Sequence, residues 1–209
     1  MVQLFIDGGG FMWPILFIFI IGFVFVGERL YHLLKGLSAK EDFAEMVCET
    51  VKTSGIEAAK TKCDGAIGPV VNLCSNALER AHFGAEEAEK SLEQGGAIEM
   101  AALEKNMTWI SLCIATAPML GFLGTVWGMI QAFNDIKMAN DISPAVVAGG
   151  ISVALLTTAF GLVVAVILQL LQNAVMYIID NQIVTMQKST SMLIQSIADK
   201  ARLTHANEA

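Results

Sequence analysis

Hydroxyl and amide side chains lie inside two long apolar stretches of this chain, and they are the groups there that could take part in chemistry. Thr125 lies in the uncharged run 106–134, and Thr158 lies in the uncharged run 142–179. Polar groups at membrane depth generally face protein or a water-filled cavity, so we expect both hydroxyls to face an interior path rather than lipid. Further amides lie toward the ends of the runs, at Gln131, Gln169, Gln172 and Asn173.

Neither run contains an aspartate, glutamate, lysine, arginine or histidine that could exchange a proton or pair with an ion. If this chain conducts ions, the charged group must therefore come from another chain. The alternative is a tight helical hairpin whose hydroxyls bond to carbonyls of their own helix, because small residues let helices pack closely in lipid. The residues expected at helix packing and partner contacts are Pro118, Gly121, Gly124, Gly128, Ala154, Thr157, Gly161 and Ala165.

The composition indicates an integral membrane protein. The 209 residues are 55% hydrophobic and 16% charged, with a mean hydropathy of +0.59, whereas soluble domains are about 25% charged. Uncharged runs at 8–27, 106–134 and 142–179 are each long enough for the roughly 20 residues that cross a bilayer as a helix. The sequence therefore predicts an all-α fold with three transmembrane helices, the third of which extends well beyond the membrane.

The basic residues predict an orientation. Of 13 lysines and arginines, nine lie in 28–105, three follow the third span, and Lys137 lies between spans two and three. The positive-inside rule then makes region 28–105 and the C-terminus cytoplasmic. The predicted segments are an outside N-terminus at 1–11, transmembrane helix 1 at 12–27, a cytoplasmic helical region at 28–105, transmembrane helix 2 at 106–134, an outside loop at 135–143, transmembrane helix 3 with a cytoplasmic extension at 144–179, and a cytoplasmic C-terminal helix and tail at 180–209.

Helical periodicity also extends through the predicted cytoplasmic region. Apolar residues recur at helical spacing in 40–53 and 70–83, and the stretches 53–55 and 63–69 interrupt the pattern. The segment 86–105 is rich in Ala, Glu, Leu and Lys and has no strong stop at its end. We therefore expect it to continue unbroken into span two and to pack beside the C-terminal helix.

Enzymatic and nucleic-acid functions find no support in the sequence. The four cysteines have no metal-like spacing and are predicted to be buried apolar thiols, and the three histidines are scattered. No nucleophile motif or phosphate-binding glycine loop is present. We expect no enzyme activity, no metal and no other cofactor. The net charge of −7 argues against nucleic acid as a partner.

The stretch APMLGFLGTVWGMIQAF at 117–133, followed by GGISVALLTTAFGLVVAVILQ at 149–169, resembles the MotA/TolQ/ExbB proton channel family. The residues look closest to the ExbB/TolQ branch, as does GERLY at 27–31, and the resemblance covers nearly the whole chain in order and spacing. It implies a homopentameric bundle in the inner membrane of a bacterial cell, with a periplasmic N-terminus and a cytoplasmic C-terminus.

The resemblance also implies partners and a function. The pentamer would enclose the transmembrane helices of an ExbD/TolR-like single-span protein dimer, whose aspartate carries the ion, and would contact membrane lipids. Thr125 and Thr158 match the pore-lining positions of the family. Ion flow would be converted into mechanical work on the envelope, with a TonB/TolA-like envelope-spanning protein as a further partner.

One residue departs from the pattern of the branch. ExbB and TolQ commonly read GI-x-E-A-L at the start of span three, and Val153 stands where that glutamate would be. A carboxylate could help to relay protons, whereas hydroxyls and backbone carbonyls can also coordinate sodium. Protons are the expected ion. The alternatives are a sodium-driven member of the same family and a non-conducting structural membrane scaffold.

Overall fold

The computed structural model describes residues 2–36, 42–66, 68–139 and 144–208, and this part of the chain forms helices and no strand. The predicted all-α class is confirmed for these residues. A single 3₁₀ turn, Ala81–Phe83, follows α5. The α-helices are α1 (Val2–Asp7), α2 (Met12–Gly36), α3 (Asp42–Thr53), α4 (Ile56–Cys63), α5 (Pro69–Arg80), α6 (Ala85–Leu103), α7 (Met107–Ala139) and α8 (Pro144–Glu208).

In the part of the chain that the structure describes, three helical stretches are long and apolar enough to cross a membrane, as the uncharged runs predicted. They are Met12–Leu34, Glu86–Met138 and Pro144–Lys200. Helices α2, α7 and α8 each continue past the C-terminal end of their uncharged run, because glutamate, arginine and lysine are good helix formers. The end of an uncharged run therefore marks the end of the apolar surface and not the end of the helix. Residues 135–139 of the predicted outside loop accordingly belong to α7, and residues 140–143 lie outside the described residues.

The third span is part of a helix of 65 residues, α8. At ~1.5 Å per residue this helix is about 98 Å long, roughly three times the ~30 Å hydrocarbon core. It begins at Pro144, which is well suited to the first turn of a helix, and no glycine or proline follows Gly161 to interrupt it. The C-terminal helix predicted at 180–209 is the continuation of α8, which ends at Glu208.

The chain divides into two compact units, each with its own core. The first unit comprises 1–29 and 106–175. Its core joins side chains of α2, α7 and α8: Ile15, Cys113, Ala117, Val164, Ala165 and Leu168. Close packing in this core depends on Gly22 of α2, because a Cβ there would lie 2.7 Å from Leu168 Cδ1 and 3.3 Å from Cys113 Cβ.

The second unit comprises 30–105 and 176–209, and its fully buried side chains include Val47, Val51, Leu78, Leu92 and Leu193. Side chains of α6 and α8 line a common cavity of about 480 Å³ in this unit, which agrees with the expected pairing of these segments.

The three cysteines of the second unit are free and buried, as the sequence predicted. Burial raises the pKa of the Cys48 and Cys63 thiols and raises the pKa of Cys74 to about 12. These thiols are therefore protonated at neutral pH and act as small apolar side chains.

The expectation of an unbroken helix from 86 into span two is wrong. Helix α6 ends at Leu103 and α7 begins at Met107, with Asn106 between them at a φ of 65°. Asparagine tolerates this left-handed conformation better than most residues. The Asn106 carbonyl accepts hydrogen bonds from the backbone N–H groups of Trp109 and Ile110, at 3.1 and 3.4 Å, and so begins α7.

Glu28 fixes the side chain of Asn106. Asn106 Nδ2 donates to Glu28 Oε2 at 2.8 Å, and Arg29 Nη2 donates to Glu28 Oε1 at 2.8 Å. The Arg29 side chain is 6% exposed. The carboxylate thus accepts hydrogen bonds from both groups, and a contact between residues 78 apart in sequence holds the side chain of the residue at the helix break.

We predict that Asn106→Val destabilises the first unit more than Asn106→Gly does. Glycine adopts a φ of 65° without strain and loses the amide hydrogen bond alone, whereas valine loses the bond and adds backbone strain of about 1–2 kcal/mol. Thermal unfolding of the purified chain in mild detergent measures the difference. Equal thermal unfolding midpoints for Asn106→Val and Asn106→Gly would mean that the backbone conformation of Asn106 contributes nothing to stability.

Candidate functional site

Helices α7 and α8 approach each other along two matched series of small residues, which we call the small-residue seam. A Cβ built on Gly124 would lie 2.7 Å from Thr157 Cβ, and one built on Gly161 would lie 2.7 Å from the Ala117 carbonyl oxygen. A Cβ on Gly121 would lie 3.0 Å from the Thr157 carbonyl oxygen. These positions leave no room for side chains. The seam is formed by Ala117, Gly121, Gly124, Gly128 and Ala132 on α7 and by Gly150, Ala154, Thr157, Gly161 and Ala165 on α8.

Sequence reasoning missed three members of the seam: Ala117, Ala132 and Gly150. Ala117 and Ala132 are almost fully buried, and a Cβ on Gly150 would collide with Ala132 Cβ. Both series have the same spacing of 4, 3, 4 and 4 residues. Residues at this spacing lie on one side of a helix. The spacing alone could therefore have identified Ala117, Ala132 and Gly150.

Ala165 and Pro118 were also expected at packing contacts. Ala165 is buried in the core cluster with Ile15 and Cys113, so it packs against α2 as well as α7. Pro118 is inside α7, and the helix continues through it. Because proline has no N–H, the Ile114 carbonyl lacks its usual helical donor at this point.

The threonine hydroxyls differ in what they contact. Thr157 is 1% exposed and its Oγ1 donates to the Ala154 carbonyl at 2.8 Å. Thr125 is half-buried and donates to the Phe122 carbonyl of its own helix at 2.6 Å. Thr158 is also half-buried, but its hydroxyl donates across to α7, to the Gly121 carbonyl at 3.2 Å. Each hydroxyl oxygen keeps lone pairs that can accept a hydrogen bond or contact a cation.

Thr125, Thr158 and Gln169 lie on one side of the α7–α8 hairpin, which we call the threonine face. Thr158 contacts Gly121, and Thr125 lies one turn along α7 from that glycine. Successive residues of a helix are ~100° apart around its axis, so Gln169 lies about 20° from Thr158 on α8. On α7, Thr125 lies about 120° around the helix from Cys113, and Cys113 packs toward α2. The threonine face is therefore turned away from the residues that receive α2.

A hydrogen bond between the two helices extends the polar surface beside the threonine face. Gln172 Nε2 donates to Ser111 Oγ at 2.7 Å, and Gln169 Nε2 donates to Asn173 Oδ1 at 3.1 Å. These groups are exposed or half-buried in the first unit. Amides and hydroxyls thus continue along the hairpin from the threonines toward Asn173.

Val153 lies on a different side of α8. It is about 140° from Thr158 around the helix, and its Cγ1 would be 3.4 Å from a Cβ built on Gly9. A carboxylate at this position would therefore be directed toward the N-terminal turn of this chain and not along the threonine face. Within the described ranges, no three His, Cys, Asp or Glu side chains come together as a metal site.

Comparison with known proteins gives a consistent result. Residues 68–188 match the MotA/TolQ/ExbB proton channel family. A Methanothermobacter thermautotrophicus protein named as a homolog of the biopolymer transport protein ExbB is 31% identical over 183 residues, which are 87% of this chain and 65% of that protein. The biopolymer transport protein ExbB of Xanthomonas campestris pv. campestris is 31% identical over 128 residues, 61% of this chain and 46% of that protein. The chain therefore spans less than two thirds of the length of these relatives.

Neighbouring glycines in α8 provide a matched test of the seam. A Cβ on Gly150 would collide with Ala132, whereas a Cβ on Gly149 would meet nothing within 4 Å. We predict that Gly150→Ala lowers the unfolding free energy by about 1–3 kcal/mol through overpacking. Gly149→Ala should be neutral or stabilising, since alanine is a better helix former than glycine by about 1 kcal/mol. Thermal unfolding in detergent measures both, and a Gly150→Ala variant as stable as Gly149→Ala would contradict the seam geometry.

Proposed function

Because the chain belongs to the MotA/TolQ/ExbB proton channel family, we propose that it is the ion-conducting subunit of an inner-membrane, energy-transducing motor. Its three apolar helical stretches are those of a membrane protein, and its relatives include proteins named for biopolymer transport. The observation that carries the proposal is the threonine face. It places two hydroxyls and an amide on a membrane-embedded surface, where polar groups need protein or water beside them.

The charged group of the ion path comes from a partner under this proposal. The uncharged runs that contain Thr125 and Thr158 hold no acidic or basic side chain, so neither can hold a proton or balance an ion's charge. An aspartate on the transmembrane helix of an ExbD/TolR-like dimer would supply it. The threonine hydroxyls would contact the ion or its water on the way to that carboxylate.

The same geometry supports assembly into a ring. The small-residue seam packs α7 against α8 within one chain, so its glycines do not by themselves require a second subunit. The threonine face instead needs a polar or hydrated neighbour, and one hairpin cannot enclose a partner helix. We propose a homopentamer whose threonine faces point inward around two partner helices, with lipid on the outside.

The energy for mechanical work would come from the membrane potential and the ion gradient. Each elementary charge that crosses a potential of 100 mV releases roughly 2.3 kcal/mol. A few ions per step could therefore move the partner helices and, through a TonB/TolA-like protein, do work on the envelope. The orientation proposed for this role has a periplasmic N-terminus and the second unit in the cytoplasm.

A non-conducting scaffold is the second candidate function, and the small-residue seam favours it. Close packing explains the glycines and Thr157 without any ion, and the Thr125 hydroxyl bonds within its own helix. In a scaffold the hydroxyls of the threonine face would have no role beyond packing. The two functions therefore differ in what removal of those hydroxyls does.

We predict that Thr125→Val and Thr158→Val each lower ion flux by about tenfold or more, a change equivalent to ~1.4 kcal/mol in the barrier. Valine keeps the shape of the side chain and deletes the hydroxyl. A membrane hydrogen bond averages about 0.6 kcal/mol, so assembly should persist. The measurements are ion flux into liposomes that contain the complex copurified with its partner, and subunit number by native mass spectrometry.

Thr116→Val is the matched control for these variants. Thr116 is also half-buried on α7, its hydroxyl donates to the Leu112 carbonyl at 2.7 Å, and it lies about 180° around the helix from Thr125. It should keep the flux of the unmodified chain. If the Thr125→Val and Thr158→Val variants assemble and conduct ions like this control, the scaffold function is supported. If native mass spectrometry finds only monomers in the presence of the partner, the proposed ring is contradicted.

The driving ion is the subject of a separate prediction. We expect flux to follow the proton gradient, to stop with a protonophore and to continue without sodium. Val153 stands where the ExbB/TolQ branch commonly has a glutamate that could relay protons. Sodium-driven flux therefore has a physical basis as the alternative. Flux that follows a sodium gradient and survives the protonophore would identify a sodium-driven member of the family.

A further inference from the structure

The cavity of about 480 Å³ in the second unit is a groove with two matching walls, which we call the α6–α8 groove. One wall is a stripe of α6 at 89, 92, 93, 96, 97 and 100, and the other is a stripe of α8 at 183, 186, 187, 190, 191 and 194. Residues at this spacing lie on one side of a helix. At ~1.5 Å per residue each stripe is about 17 Å long, which matches a helix of about 12 residues.

The most buried residues that line the α6–α8 groove are apolar. Leu73, Leu92 and Met186 are only 2–3% exposed and form its floor. Met100 also lines the groove. Methionine side chains are flexible and polarisable, and they are common on surfaces that receive a helix. The floor therefore suits the apolar face of an amphipathic helix.

The rim of the α6–α8 groove carries a negative charge that the second unit does not neutralise. Glu89 and Glu93 line the groove, are exposed and make no ion pair within the described part of the chain. Lys90, which lies between them in sequence, pairs instead with Glu86 and Glu87, both at 3.2 Å. Among the described residues that line the groove there is no lysine, arginine or histidine. Like charges four residues apart weaken a helix, so a cation in the groove would relieve the repulsion between these carboxylates.

Gly96 is an independent indication that the groove receives a group from outside this unit. Glycine weakens the interior of a helix relative to alanine, and it is used where another group approaches the backbone closely. Gly95 has such a neighbour, because a Cβ there would lie 3.0 Å from Leu73 Cδ2. A Cβ on Gly96 would meet nothing within 4 Å, although Gly96 lines the groove. Packing among the described residues therefore does not require this glycine, and its missing side chain leaves space for an occupant.

We propose that the α6–α8 groove binds a cationic amphipathic helix of another protein. The apolar side of that helix lies on Leu73, Leu92 and Met186, and basic side chains at its edge reach Glu89 and Glu93. Opposite charges on the two partners favour the encounter and fix the register of the helix.

The net charge of this chain favours another protein over a second copy as the occupant. The chain carries a formal charge of −7, so a second copy would on balance be repelled by an acidic groove. This inference goes beyond the proposed function, because the threonine face belongs to the first unit and the α6–α8 groove belongs to the second.

Binding of a synthetic peptide tests the groove. The probe is a fluorescent peptide of about 18 residues, long enough to form a helix when bound, with leucines on one face and lysines on the other. It is titrated onto the full chain in nanodiscs of uncharged lipid and followed by fluorescence anisotropy, with empty nanodiscs as the blank. We expect saturable binding that weakens with added salt. A peptide with the same leucines and with glutamates in place of the lysines should bind about tenfold more weakly or worse.

The charge of the rim is tested with the double variant Glu89→Gln and Glu93→Gln. The Kd of the lysine peptide should rise by about tenfold, because both carboxylates are lost while the apolar floor is kept. The matched control is Glu45→Gln with Glu49→Gln. These are also exposed glutamates four residues apart in the second unit, but they lie on α3 and outside the groove. The control removes the same charge and should leave the Kd unchanged.

The space of the groove is tested with Gly96→Leu. Leucine is a better helix former than glycine, and its Cβ would meet no other atom within 4 Å. The variant should therefore fold at least as well as the parent, which thermal unfolding checks. Its side chain fills part of the groove and should raise the Kd of the lysine peptide by about tenfold or more. Gly149→Leu, at an equally open position in the first unit, should bind like the parent.

Three results would overturn the proposal. Equal Kd values for the two double variants, or a Gly96→Leu variant that binds like the parent, would mean that the peptide binds elsewhere. Saturable binding no greater than that of empty nanodiscs would mean that a second copy covers the groove or that the peptide binds lipid alone. Ion flux enters none of these measurements, so the groove and the proposed ion path can fail independently.

Discussion

The close approach of α7 and α8 along the small-residue seam is the contact on which the membrane-embedded part of this protein depends. Lipid is as apolar as the side chains it surrounds, so two helices in a bilayer gain little from apolar burial and must associate through close packing. Matched series of glycine and alanine let the two backbones nearly touch. A Cβ at Gly124 or Gly161 would lie only 2.7 Å from atoms of the other helix.

That contact fixes where every polar group of the hairpin points. Thr157 lies inside the seam and is 1% exposed. Thr125 and Thr158 lie on one side of it, and Gln131 and Val153 lie on the other side at a cavity. A rotation of either helix by one residue, about 100°, would bring larger side chains into the seam. Packing thus determines which hydroxyls and amides are buried in the seam and which lie on either side of it.

The second unit combines an apolar core with a charged surface. Its thiols are buried and protonated at neutral pH, whereas several surface glutamates form local ion pairs. Lys90 pairs with Glu86 and Glu87, both at 3.2 Å, and Lys60 pairs with Glu79 at 3.3 Å. Exposed pairs of this kind contribute only about 0–1 kcal/mol each. The apolar core, and not these charges, holds the helices of this unit together.

The sequence by itself determined the all-α class, the three apolar stretches and the positions of the small residues, because hydrophobicity and helical period are local properties. It also pointed to Thr125 and Thr158 through their depth in uncharged runs. Only the tertiary structure decided that Thr158 bonds across the seam to Gly121 while Thr125 bonds to its own helix. Likewise, the Asn106 side chain at the helix break bonds to Glu28, and the N-terminal turn forms part of the wall of the cavity beside Gln131. Such contacts join residues far apart in the chain, which no local pattern can specify.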